Sequence, residues 1–297
     1  MIRSPLNPLL VVSATVAALV ALPVASVLTN ILSGGTGATW SHLATTVLPD
    51  YIANTLVLCL TVGVGVVVVG VGTAWLTTMH SFPGRRVFEW ALVLPLAMPA
   101  YVLAYVYTDF LQFVGPLQTF LRESFGWSKA DYWFPEVRSL GGAVGMFVFV
   151  LYPYVYLLTR TAFIERASGM LEASRTLGLG PWRSFFRVSL PLARPAVAAG
   201  AALALMETLA DYGTVSYFGV QTFTTGIYRA WFSLGDRIAA AQLAAALLGF
   251  VTLLLLIERI SRGRSRFYNT TGRNRPRSGQ RLLGWRAWLA STLCALP

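Results

Sequence analysis

Six mostly apolar runs limit what this chain can fold into more than any other feature, because each is near the ~20 residues that a helix needs to cross a bilayer. They fall at about Leu9–Thr29, Ala53–Trp75, Phe88–Tyr107, Leu140–Leu158, Ala196–Ser216 and Ile238–Ile257. A soluble domain has no use for that much apolar length. Charge agrees: only 12% of the 297 residues are charged, against about 25% in a typical soluble domain. The expected fold class is therefore all-α, a polytopic membrane protein with six transmembrane helices. A seventh apolar run opens near Trp288 and reaches Pro297, about half a span at ~1.5 Å per residue.

The net charge of +11 would point to nucleic acid in a soluble protein. Here the basic residues follow topology. One set of loops holds Arg3, Arg85, Arg86, the six arginines of loop 160–195 and the nine of tail 259–286. The other set holds Arg122, Lys129, Arg138, Arg229 and Arg237. Cytoplasmic loops collect Lys and Arg, so both termini are expected in the cytoplasm, and no nucleic-acid role is needed. The first run follows Arg3 and has small residues around Val24-Ala25-Ser26, as a cleavable leader would. It is long for a leader's apolar core, and keeping it makes the charges alternate.

Breakers mark individual spans. Pro95 and Pro99 interrupt the third, Pro153 the fourth, and Gly63, Gly65, Gly70 and Gly72 crowd the second. Proline frees backbone carbonyls and kinks a helix, while small residues let helices approach closely. These serve packing as readily as motion. The outer loop 109–139 carries Trp127, Tyr132 and Trp133, suited to a membrane–water interface, and its GPLQTFLRESFGW stretch reads as a short surface helix. Cys59, Cys294, His42 and His80 lie too far apart in sequence to read as a metal cluster.

The largest internal cytoplasmic loop is unusually structured. Phe163, Ala167, Met170, Leu171, Ser174 and Leu177 share one helical face, and Gly178 follows as a C-terminal glycine. Gly180-Pro181 then restarts the chain. Trp182, Phe185, Phe186 and Ser189 share a face, Arg183 and Arg187 share another, and Leu190-Pro191 with Pro195 should stop this helix. An aromatic ridge beside a basic face fits either an interfacial helix on anionic lipid or a knob for a cytoplasmic partner.

The spacing of Glu172-Ala173-Ser174, three residues, Gly178, nine residues, then Val188, Leu190 and Pro191 resembles the EAA motif of ABC-transporter permeases. Ser174 and Val188 stand where the family pattern has Ala and Ile. The stretch METLADYGTVSYFGVQTFTTGIYRAWFSLGD (206–236) and the tail IERISRGRSRFYN resemble the ferric-iron permeases of binding-protein-dependent importers. The resemblance implies a six-span permease domain over 1–258 with its coupling loop at 160–195, a basic cytoplasmic linker over 259–287, and at 288–297 the start of a second permease half. It implies a multi-pass protein of the bacterial inner membrane, with ATP-binding cassette ATPase subunits, a periplasmic substrate-binding protein, a second half and the lipid bilayer as partners. Glu172, Ala173, Gly178, Leu190 and Pro191 would shape the loop, and Trp182, Phe185 and Phe186 would fill a groove of the ATPase. ATP and Mg would be bound by that ATPase, since this chain carries no GxxxxGK[ST] phosphate loop and is expected to be a transport subunit rather than an enzyme.

Glu207 and Asp211 are the two acids of the fifth run, spaced to share a helix face, about 17 and 22 Å from its start at 1.5 Å per residue. With Tyr212 and Tyr217 they offer hard oxygen donors suited to ferric ion, or they cap and pair within the bundle. Thiamine, phosphonate or polyamine cargo fits the same architecture. An ATP-independent carrier or channel is the alternative from another class, and it would leave the loop without a partner. A membrane-embedded enzyme would need a nucleophile or ligand set that does not stand out.

Overall fold

In the computed structural model, residues 8–30, 37–176, 178–262 and 280–297 are described. Helix α1 spans Pro8–Thr29, α2 Gly37–Thr46 and α3 Leu48–Met79. A two-residue strand β1 (His80–Ser81) leads into α4 (Arg85–Ala91). A 3-10 turn (Leu94–Ala97), α5 (Ala100–Leu111) and α6 (Pro116–Phe125) follow. Then come α7 (Leu140–Thr176), α8 (Pro181–Ser184), a π-helical turn (Phe185–Ser189) and α9 (Leu190–Ala210). Short helices α10 (Gly213–Tyr217) and α11 (Phe223–Tyr228) and a second π turn (Arg229–Ser233) precede α12 (Arg237–Arg262). Strand β2 (Gln280–Arg281) and α13 (Trp285–Ala295) complete the order.

Five of these segments are long and apolar enough to cross a membrane, and a sixth crossing is available if one bent pair counts as a single span. That pair is the expected third span. It is not one rod: segments 85–97 and 100–125 meet at 101°. Pro95 and Pro99 withhold two backbone donors there, and the chain turns at Met98 in extended conformation. The surface helix of the outer loop forms as α6, ending at Gly126 with φ 65°.

The chain divides into two compact units. One comprises 1–53 with 221–250. Its core joins Tyr51, Phe223, Ala239, Ala240 and Leu243, with Phe250 against Phe223 at 5.2 Å. Thr222 and Thr225 form a reciprocal capping box that starts α11. Helix α1 has no buried residue.

The other unit comprises 54–220 with 251–297. Helix α7 runs through its core between α3 and α9. Glycines make both approaches: a Cβ at Gly70 of α3 would lie 2.7 Å from Val155 Cβ, and one at Gly200 of α9 would lie 2.7 Å from Val155 Cα. No larger residue fits at either crossing without displacing backbone. Phe147, Leu151, Tyr152, Val155 and Tyr156 of α7 fill the space around them. Helix α12 extends to Arg262, and β2 pairs in parallel with β1 (His80 opposite Gln280). Helix α13 then starts at Trp285 and lays Ala287, Ala290 and Cys294 into this unit's core.

Candidate functional site

The loop that resembles the EAA motif is built from the end of α7 to the start of α9. Helix α7 continues 37 residues without interruption, so the amphipathic segment after the fourth span is part of the span itself. Glu172 and Ala173 fall on its last turns; their side chains lie outside the described residues, as does Leu177. Gly178 takes φ +79°, a conformation that costs an L side chain about 1–2 kcal/mol. The Leu179 N–H donates to the Ser174 carbonyl at 3.0 Å, closing the helix end. Pro181 opens α8.

Leu190, Pro191 and Pro195 do not stop the helix. The π turn at Phe185–Ser189 leads straight into α9, and 181–210 form one continuous span. Pro191 sits in the first turn of α9, where a missing N–H costs little. The wider π turn supplies the shift in register that a uniform α-helix could not. Leu190 is half-buried and Pro191 exposed.

The aromatic ridge divides. Trp182 and Phe186 are 71% and 59% exposed, their rings 6.4 Å apart and nearly parallel. Arg183 and Arg187 are exposed with them. Phe185 departs from its expected place in an outward ridge: it is 9% exposed and packs its ring on Trp75 of α3 at 4.6 Å. The register of the π turn carries it inward. Beside it, Ser184 and Ser174 share a buried hydrogen bond of 2.6 Å between their hydroxyls. The serine that departs from the EAA pattern is therefore matched by a second serine ten residues on.

At its C-terminal end α9 stops at Ala210, short of the expected Ser216. The Asp211 N–H closes the last turn onto the Glu207 carbonyl, and the chain then turns extended. Asp211 does not share a helix face with Glu207. Its Oδ1 accepts from the backbone N–H of Thr214 (2.7 Å) and Val215 (3.4 Å), and its Oδ2 from the Thr214 hydroxyl (3.1 Å). It thus anchors the start of α10. Glu207 is exposed on α9, on the side that faces Tyr154 of α7. Tyr217 accepts from Arg138 Nη2 at 3.2 Å, with that guanidinium 4.8 Å over its ring. Tyr212 is 36% exposed. Among the described residues, no group of three or more His, Cys, Asp or Glu could hold a metal.

Sequence reasoning missed Trp75, Ser184, Arg138 and Tyr154. Another missed cluster ties α4 to α7: Glu89 pairs with Arg85 on its own helix and with Arg160, each at 3.1 Å. The only sequence signal for any of these was the i,i+4 spacing of Arg85 and Glu89.

A multi-span helical membrane protein whose fourth and fifth long helices meet in a glycine-turned, arginine-bearing handle is a defined class of structure. Residues 66–266 match the family model described as binding-protein-dependent transport system inner membrane component, and the chain belongs to that family. It is 27% identical over 75% of its length to the Fe(3+)-transport system permease protein FbpB 2 of Haemophilus influenzae, of which it covers 40%. It is 29% identical over 66% of its length to the molybdenum transport system permease protein ModB of Escherichia coli K12, covering 87% of it. A probable sulfate transport system permease protein cysT of Chlorokybus atmophyticus is 35% identical over 49% of the chain, with 48% of that protein covered. Two of these relatives are thus at least twice as long as the part matched. In fold, the chain resembles a bacterial ABC transporter that imports alginate (TM-score 0.65, 14% identity, 86% of this chain and 96% of that one). It also resembles the MetNI methionine ABC transporter (TM-score 0.56, 19% identity, 74% and 96%).

Proposed function

We propose that this chain is a permease half of an ATP-driven importer of the bacterial inner membrane, with its N-terminus in the cytoplasm and ferric iron as cargo. A periplasmic binding protein delivers the cargo to the outer face. Separate ATPase subunits bind ATP and Mg, and dock on the handle. Their closure moves α8, and with it α9, rocking this half against a second one. The observation that carries the reading is the split of the handle: Trp182, Arg183, Phe186 and Arg187 face outward while Ser184 and Phe185 pin the opposite side. A short helix held on one side and bare and aromatic on the other is built to be gripped. The lipid-surface alternative does not account for the buried anchoring of the inner side.

A second half, in the same chain or a separate one, fits two further features. Helix α13 packs on the core of 54–220 through small residues, and α1 has no buried residue.

Ferric iron rests on the resemblance to iron permeases and on the exposed Glu207 carboxylate; Asp211 is occupied in its turn, so the pathway offers weak sites, as transport requires. A tetrahedral oxyanion is the second reading. Arg138, held on Tyr217 beside the outer end of α9, favours it, as do the molybdenum and sulfate permeases among the relatives. The test is ATPase stimulation in the reconstituted complete transporter. Stimulation by a binding protein loaded with ferric iron and not with molybdate or sulfate supports the first reading, and the reverse supports the second. If no ATPase co-purifies, the handle is misread and a carrier or channel moves ahead.

A further inference from the structure

We infer that Trp75 is the positioning residue through which the handle moves α3, an inference that rests on the coupling function proposed above. Three elements meet on its ring. Phe185 of the handle lies at 4.6 Å with planes at 60°, Phe163 of α7 at 5.6 Å and 77°, and His80 beyond the end of α3 at 6.1 Å and 70°. Such edge-on contacts are directional as well as apolar. Phe163 is 1% exposed and Phe185 9%, so the cluster is packed and transmits displacement rather than absorbing it.

The helices receive the handle's motion by different routes. Helix α9 is covalently continuous with it. Helix α7 is tied by its own chain and by the Ser174–Ser184 hydrogen bond. Helix α3 has neither link; its ring contact with the handle is made by Trp75. A tight crossing with α7 lies before this point, where Gly70 meets Val155 and the Tyr152 carbonyl. Trp75 is five residues further along, about 7.5 Å at 1.5 Å per residue. A push on Trp75 thus acts beyond a tight crossing of a 32-residue helix. The crossing serves as the pivot. Without the ring, α7 and α9 follow the ATPase while α3 stays behind.

The experiment uses the complete transporter in liposomes, carrying Trp75→Ala, Trp75→Leu or Trp75→Phe. Leu keeps apolar bulk without a ring, so the comparison survives if the alanine variant fails to insert. Spin labels at the exposed Leu60 of α3, well away from the pivot, and Leu203 of α9 report their separation with and without Mg-ATP, independent of cargo. The expected result is a larger ATP-driven change in this separation in the Ala and Leu variants, because α3 no longer follows α9, and its return to the parental size in Phe. ATPase still co-purifies, and cargo moved per ATP, read with a binding protein carrying the ion that stimulates the parent, falls about tenfold. A parental distance change and parental cargo per ATP in both Ala and Leu variants would overturn the inference. Failure of the coupling reading looks different: the parent itself then shows no ATP-driven change and retains no ATPase.

Discussion

The two ends of α9 are built on opposite plans. At its N-terminal end the chain turns polar and apolar groups inward to anchor a short helix, and leaves Trp182, Phe186 and two arginines outside. At its C-terminal end, polar side chains that looked available are engaged nearby: Asp211 by Thr214 and Val215, and Tyr217 by Arg138. One end presents a surface, and the other organises a turn. A charged residue inside a span is therefore a weaker pointer to cargo than an exposed aromatic pair is to a partner, because burial makes the charged group find a local companion first.

Four changes would break or sharpen that contrast. The largest effect is expected from Trp182→Ala combined with Phe186→Ala, which removes the exposed ridge and leaves Phe185 in place. Retention of the ATPase should fall about thirtyfold, as for loss of an interface hot spot, in a pull-down from detergent; undiminished retention would place the contact elsewhere. Next is Gly178→Val. Nothing crowds a Cβ at this position, so the whole penalty is backbone strain of about 1–2 kcal/mol. Uptake should drop about tenfold with membrane levels unchanged, whereas Gly178→Asn, which tolerates the left-handed region better, should keep most of it.

A smaller effect follows from Ser184→Ala, which breaks one buried hydrogen bond worth about 1 kcal/mol. Hydrogen exchange across 179–190 should speed up about fivefold, and adding Ser174→Ala should recover part of the loss if the two hydroxyls serve each other. The smallest effect concerns the outer loop. Asp131 accepts two hydrogen bonds from Ser128, through its backbone N–H and its hydroxyl, which hold its carboxyl below the usual carboxylate range. A depressed folded pKa means that the tie is complete at neutral pH and is lost only as pH falls through that lowered value. A carboxyl titration in Ser128→Ala should move back toward the ordinary range, with the turn otherwise intact.

Much of the handle could be read from the chain because its signals are local. Gly178 just past an apolar face and Pro181 just inside the next helix carry their meaning within a few residues. The stop expected at Leu190-Pro191 failed for an equally local reason: a proline tolerated in a first turn looks the same in sequence as one that ends a helix. The third span shows the converse. Pro95 and Pro99 were visible, but the 101° bend depends on what α4 and α5 pack against. Arg138 and Tyr217 stand 79 residues apart, and Trp75 and Phe185 lie in different spans, so no periodicity joins them.

The residues alone thus determined that the chain lives in a bilayer, where its long apolar runs lie, which loops carry the positive charge and where the helix–glycine–proline segment between the fourth and fifth runs falls. All of these follow from transfer free energy, helix rise and the backbone limits of glycine and proline, each of which acts along the chain. Only the tertiary structure decided that Phe185 turns inward onto Trp75, that Ser174 meets Ser184, that Asp211 serves a turn, and that α13 lies on the core of 54–220. Those outcomes depend on which helices are brought within a few ångströms of one another, and close packing settles that for all of them together.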